Sequence, residues 1–310
     1  MTTRPRIALL SLAAAVSVMA AIGYGLAHGP WSPGPSGEGE RARGYTIILS
    51  EDREVLLRTG LAVGKGDEFI LGADNAHYTV LRVFGRTAVA RRIAPTIEPT
   101  SAPPQMAIPA QSPAAAGAKT IVIYHTHSDE SYTPDDGRPD IPGHGSIFEV
   151  GTTFANALRA AGFIVIDDPT RHDPHDNQAY IRSRRTAFQD IQMYNPYAIF
   201  DVHRDSAPAT DYLITVGGMP TQEIMIVVGR QNPTMAANLF VAKQLKAAAD
   251  RLYPGLVKAI FMGHGNYNQD LMATALLLEF GTETAPRAEA DQAARFMATV
   301  VAQTFSPSAP

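Results

Sequence analysis

From Lys119 onward the chain alternates short apolar runs with longer segments of helical period. That alternation restricts it to a single α/β sheet domain, because each apolar run must be covered by the helices between. Strands are expected at 120–124, 163–166, 198–202, 223–228, 257–261 and 276–280, and helices at 150–161, 178–193, 235–252 and 287–304. The third helix shows the period most clearly. Leu239, Ala242, Leu245, Ala249 and Leu252 share one stripe, with Lys243, Lys246 and Asp250 off it, so that stripe is read as core.

Two of the apolar runs deliver histidines where the strand ends: Ile121-Val122-Ile123-Tyr124-His125-Thr126-His127 and Ala198-Ile199-Phe200-Asp201-Val202-His203. In open α/β sheets ligands gather outside the carboxyl ends of the strands, and neutral imidazole is the commonest protein ligand for zinc. His127 and His203 are therefore the first candidates for metal ligands. His125 would share the face of His127 if the strand continued, and is the rival ligand or a supporting donor. The chain has no cysteine, so a metal here must be held by imidazoles and carboxylates. Glu130, three residues past His127, and Glu149, just ahead of the helix expected at 150–161, are both available as the third ligand, and position alone does not choose between them.

Glu279 ends the apolar run Ala275-Leu276-Leu277-Leu278. A carboxylate there is partly desolvated and suited to act as a general base and then an acid. Arg204 is read as a fork for a substrate carboxylate and Asp205 as an aspartate that orients an imidazole, with a plain ion pair between the two as the equal alternative from spacing alone. The tract His172-Asp173-Pro174-His175-Asp176 with Arg182, Arg184 and Arg185 is read as a solvated loop and helix face, ahead of a second metal tract or a substrate rim. Arg230 and residues 266–270 are placed near the cleft, and Gly143-His144-Gly145 and Gly263-His264-Gly265 are read as turns. There is no Walker loop, dinucleotide glycine fingerprint, Gly-x-Ser-x-Gly elbow or His-Glu-x-x-His helix.

Ahead of this domain the pattern differs. Arg4 and Arg6 precede an uncharged stretch from Ile7 to Ala27, long enough to span a bilayer. We read 1–28 as a membrane anchor, preferred over a cleaved signal peptide, with the remainder on the extracytoplasmic side. Residues 29–44 read as flexible and 95–118, rich in Pro, Ala and Ser, as a linker. Between them, 45–94 carries five short strand patterns (45–49, 54–57, 67–71, 78–83 and 87–90) and no cluster of reactive side chains, so it is expected to be a small all-β module for spacing or docking. The catalytic domain is then 119–306. With 26 basic against 30 acidic residues, the chain has no electrostatic footprint for nucleic acid.

The ordered blocks resemble the stage II sporulation protein P family of cell-wall hydrolases. The resemblance rests on Ile123-Tyr124-His125-Thr126-His127 with Glu130-Ser131-Tyr132, on Asp201-Val202-His203-Arg204-Asp205, and on Val228-Gly229-Arg230-Gln231-Asn232-Pro233. Tyr253-Pro254-Gly255-Leu256, Tyr267-Asn268-Gln269-Asp270-Leu271 and Leu277-Leu278-Glu279-Phe280-Gly281 complete it. Lys258-Ala259 departs from the Arg-Gly typical of the family, and Ala285 stands near its usual Asn. The resemblance implies an amidase-like open sheet holding zinc, and hydrolysis of the N-acetylmuramoyl-L-alanine amide of peptidoglycan, with peptide cross-links as a further target. It also implies membrane proteins similar to stage II sporulation proteins D and M as partners. In the related amidase pattern the metal places fall on His127, Glu149 and His203 and the late catalytic Glu on Glu279, with Glu130, which belongs to the family's own motif, as the rival of Glu149. A non-catalytic wall-binding scaffold and a zinc carboxypeptidase acting on stem peptides are the alternative functions.

Overall fold

The computed structural model describes residues 44–93, 118–176 and 178–305. The expected anchor at 1–28, nearly all of 29–44 and most of the linker lie outside them. Among the described residues no helix is long and apolar enough to cross a membrane.

The chain forms a mixed α/β structure around an 11-stranded sheet in the order β2-β1-β5-β4-β3-β12-β11-β13-β8-β6-β7. The first five strands are β1 (Thr46–Leu49), β2 (Val55–Thr59), β3 (Glu68–Leu71), β4 (His77–Phe84) and β5 (Thr87–Ile93). After them come β6 (Thr120–Tyr124), β7 (Ile164–Asp167), β8 (Ala198–Asp205), β9 (Leu213–Val216), β10 (Met219–Gln222), β11 (Ile224–Gly229), β12 (Val257–Gly263) and β13 (Ala275–Thr282). The long helices are α1 (Ile147–Ala160), α2 (Ala179–Tyr194), α3 (Met235–Leu252) and α4 (Arg287–Phe305). The strand runs and helical periods of the sequence thus fold as expected, with ends displaced by a few residues. The β9–β10 hairpin and a single helical turn at Thr133–Asp136 are additions.

Strands β7, β6, β8 and β13 are mutually parallel, so three of their carboxyl ends, those of β6, β8 and β13, open side by side. β13 then pairs antiparallel with β11, which runs parallel to β12. Helices α1, α3 and α4 cover one face over a core that includes Phe154, Phe200, Leu278 and Phe280. On the other face α2 packs against Val122, Tyr124 and Ile199 through Ala187.

The five N-terminal strands are not a separate module. β3 pairs antiparallel with β12, Ile70 opposite Ile260 and Phe69 opposite Phe261, and so carries β1–β5 onto the sheet. Phe69, Ile48, Leu57 and Val80 enter one core with Met225, Val227, Phe261 and Leu277. The physical reason is edge protection: β12 would otherwise present unpaired amides and an apolar face. His264, read as an incidental turn residue, adds an ion pair to Asp67 at 3.1 Å across the same join, and Asp67 holds its pKa up.

The predicted stripe of α3 is rotated slightly in the fold. Ala242, Leu245 and Ala249 are buried, but Leu252 is exposed, while Lys246 is buried with its Nζ donating to Gly72 O and Asp250 Oδ2. The long stem lies on apolar surface and the ammonium finds a carbonyl, which a hydropathy stripe does not register.

Two outcomes follow from this packing. Phe69→Ala is expected to lower stability by about 3–5 kcal/mol and to shift one cooperative urea transition of the whole folded region; loss of only a minor early transition would show the strands to be independent. In α2, burial and the neighbouring Asp168 carboxyl push Asp190 from 3.8 up to about 7. The folded state therefore binds this proton more tightly than the unfolded state, so its stability falls as pH rises from about 4 to about 7 and levels off above. Asp190→Asn should raise the melting temperature by a margin that grows over that window, and a margin independent of pH would contradict the assignment.

Candidate metal centre and active site

β6 ends at Tyr124, and the next three residues separate two histidines onto opposite faces. The ring of His125 turns toward α1, where its Nδ1 donates to Val202 O at 3.0 Å and it packs against Phe148. Gly151 makes room for it, since a Cβ there would stand 2.5 Å from His125 Nε2. His125 is thus a packing residue between sheet and helix. Thr126 anchors the bend by donating its N–H to Asp201 Oδ1 and its hydroxyl to Asp201 Oδ2, at 2.8 and 2.6 Å. His127 then falls on the α2 side, edge-on to His203 at 5.2 Å between ring centroids and edge-on to Tyr180 at 5.4 Å.

A turn after His127 brings Glu130 back beneath it. The Glu130 main chain is pressed against Gly145, where a Cβ would lie 2.0 Å from Glu130 O, and Ile147 N donates to that same oxygen. Glu130 is fully buried. Its Oε1 accepts from His203 Nδ1 at 3.1 Å and its Oε2 from the Arg204 backbone N–H at 2.9 Å. The other nitrogen of His203, Nε2, is 2.9 Å from Asp201 Oδ1. Asp201 precedes His203 by two residues on β8, so strand pleating puts both on one face.

The two imidazoles are tuned in opposite directions. Burial, with positive charge from His175, His203 and Arg204 nearby, holds His127 well below the ordinary histidine range. Burial also works against protonation of His203, but the Asp201 and Glu130 carboxylates on either side outweigh it and hold it well above that range. A neutral imidazole therefore faces a place where carboxylates favour a positive charge. Both ring nitrogens of His127 are buried with no hydrogen-bond partner among the described residues. Unsatisfied buried nitrogens are costly, and a cation at His127 and Glu130 would take up the lone pair of one of them.

Ligand atoms of His127, Glu130 and His175 all lie within 4.8 Å of one another. Glu149 is not brought to this cluster. It projects from the first turn of α1 with its side chain about half exposed, 3.7 Å from His144 Nε2. The amidase pattern pointed to Glu149 because it stands at a helix start; in this chain the His127–Glu130 turn places a carboxylate at the metal side directly.

Glu279 is buried on β13 and in register with His203 of the neighbouring parallel strand, so both side chains lie on one face. Arg204 is on the opposite face and is not a free fork. Its buried guanidinium donates to Asp140 Oδ1 at 2.7 Å and to Pro139 O at 3.2 Å, with Glu283 3.9 Å away. It braces the segment that follows Glu130 instead of reaching substrate. Asp205 likewise orients no imidazole. It accepts from Thr59 Oγ1, the N–H groups of Gly60 and Ser206, and Tyr212 OH, fastening the end of β8 to the turn after β2. The imidazole partner expected of Asp205 is Asp201.

The basic face of α2 is committed to flanking loops. Arg182 donates to His172 O and Asp176 Oδ1, each at 2.6 Å, and Arg184 makes a forked pair with Asp270 at 2.7 and 2.6 Å. Asn268 donates to Tyr180 O and Ser183 Oγ, and the Gln269 amide pairs with Gly229 N and Val227 O as a strand would. Arg230 lies 3.5 Å from Glu68. These loop groups frame the site from behind. Tyr180, Asp201 and His175 are the site residues that reading in terms of strand ends missed. The period of two along β8 pointed to Asp201; nothing local to the sequence pointed to Tyr180.

Residues 93–302 match the family model of Stage II sporulation protein P. A stretch of 205 residues is 32% identical to Stage II sporulation protein P of Bacillus subtilis (strain 168), covering 60% of this chain and 51% of that protein. The chain thus spans about half the length of the curated relative it matches. With the matched segment exceeding half of the sequence and containing the whole His127, Glu130, His203 and Glu279 constellation, this chain belongs to the Stage II sporulation protein P family.

Proposed function

We propose that this chain is a zinc-dependent peptidoglycan hydrolase that cleaves the N-acetylmuramoyl-L-alanine amide, with stem-peptide cross-links as a second target. The observation that carries the reading is the meeting of His127, Glu130 and His203 at the open end of β6 and β8, with both nitrogens of His127 buried and unsatisfied. These three side chains would hold zinc, with His203 giving up the proton that Asp201 and Glu130 favour as the metal enters. Zinc so held would lower the pKa of a bound water from its bulk value to about 7 and would polarise the scissile carbonyl.

The protein's own groups do the rest. Asp201 and the Arg204 N–H fix His203 and Glu130 in place from behind. Glu279, on the same face as His203, takes a proton at its carboxylate from the attacking water and returns it to the departing amine. The face it shares is walled by Tyr180 and Tyr267, whose rings meet edge-on at 5.6 Å. The uncharged stretch from Ile7 to Ala27 supports tethering at the outer face of a membrane, where peptidoglycan is the substrate at hand. Family membership supports the same placement and partners similar to stage II sporulation proteins D and M.

Glu279→Gln is expected to retain metal and to lower the rate by about 10²–10⁴-fold, the range of a lost general acid–base group. The measurement is mass spectrometry of fragments released from purified peptidoglycan, alongside metal analysis; digestion at the wild-type rate would sink the mechanism. Release of terminal stem residues alone would make the protein a carboxypeptidase instead. Glu130→Ala should lose both metal and activity while Glu149→Ala keeps both, and the reverse pattern in metal analysis would restore Glu149 as the ligand.

A further inference from the structure

β13 does not run on evenly past Glu279. Glu279 is in register with His203 and Thr282 with Asp205, so Phe280 and Gly281 together stand opposite Arg204 of β8. That is a β-bulge, a device found beside reactive sites where it re-aims a side chain. Gly281 supplies the backbone the bulge needs, with φ at +74°, and a Cβ there would lie 2.0 Å from Gln222 Oε1.

Side chains from two other segments hold the bulge. Tyr132, fully buried, donates its hydroxyl to Phe280 O at 2.7 Å. Gln222, also fully buried, accepts from the Thr282 N–H with Oε1 and donates to Pro286 O with Nε2, each at 2.8 Å. Backbone bonds continue the seam: the Gly281 N–H donates to Glu223 O, the Glu283 N–H to Asp205 O and the Thr133 N–H to Glu283 O. Two residues before Tyr132, Glu130 accepts from His203 Nδ1 and from the Arg204 N–H. One short stretch thus touches the metal side through Glu130 and the strand of Glu279 through Tyr132.

We propose that Tyr132 is a positioning residue, which fixes the bulge through its bond to Phe280 O and so aims the Glu279 carboxylate for proton transfer. The proposal rests on the metal-hydrolase reading above, with Glu279 as its base. The need for a tether is mechanical: Glu279 directly precedes the bulge, so the regular β8 ladder does not restrain the chain on its carboxyl side. A reacting group misplaced by about 1 Å can cost about 10²-fold in rate. A phenol supplies the restraint without bringing a further charge into the buried site.

The test is a double-mutant cycle in the full chain. Tyr132→Phe keeps the ring in the core it shares with Phe154 and Phe280 and deletes the hydroxyl alone. Its kcat for peptidoglycan release should fall by about 10–100-fold with KM and zinc content unchanged, and the Gly281 and Thr282 amides should exchange faster with deuterium. In a Glu279→Gln background the same change should cost less than about twofold, because a residue acting through Glu279 then has nothing left to aim. Gln222→Met, which removes the other side-chain tie of the bulge, should give the same pattern and serves if Tyr132→Phe does not fold. Wild-type kcat, lost zinc or an equal loss in both backgrounds overturns the positioning role and leaves Glu279 as the base. Unchanged exchange at Gly281 and Thr282 overturns it too, even where Glu279→Gln is too slow to measure. A Glu279→Gln variant as fast as the wild type overturns the reading beneath it instead.

Discussion

A glutamate with no exposure to water holds the centre of this protein together. Glu130 accepts from a side chain with one carboxylate oxygen and from the next residue's backbone with the other, both on β8, although it follows β6 in the chain. Burying a carboxylate is tolerable only when its charge is matched and its lone pairs are filled. The surroundings meet that requirement in layers: Glu130 and Asp201 flank His203 and favour its cationic form, Asp201 in turn takes two bonds from Thr126, and Arg204 carries its charge to Asp140 on the other side of the sheet. Removing any one of these leaves a buried charge without a counterpart, so the network fixes the relative position of β6, β8 and the segment up to α1.

The same sheet explains why the N-terminal strands matter to a site they do not enter. By pairing with β12 and sharing a core with β11 and β13, they cover the face on which Glu279 and His203 lie. Asp205, at the end of β8, reaches across to Thr59 and Gly60 of the same strands. A reactive edge built from strand ends needs those ends held still, and here one restraint comes from the helices and another from added strands.

Much of this was legible in the residues. The order of strands and helices, and the positions of His127, His203 and Glu279 at or near strand ends, follow from apolar periods and from where polar residues interrupt them. Other expectations failed for physical reasons that a linear pattern does not contain. Arg204 looked available because it follows a histidine at a strand end, but pleating sends it to the opposite face, into the carboxylate of Asp140. His125 would share the face of His127 only if the strand continued, and it stops at Tyr124. Glu149 occupies a helix start in solvent, since the turn at His127–Glu130 brings a nearer carboxylate inward.

The sequence by itself determined the α/β alternation, the absence of thiol chemistry and the types of side chain that can meet at the strand ends. These are properties of period and composition, and each is set locally. Only the tertiary structure decided which carboxylate joins the histidines, that Asp201 and not Asp205 supports His203, that His175 returns over His127, and that the N-terminal strands complete the sheet. Those outcomes depend on which buried charge finds a counter-charge across 70 or more residues of chain, as between Glu130 and His203. Such pairings exist only once the strands are in register, and no local period encodes them.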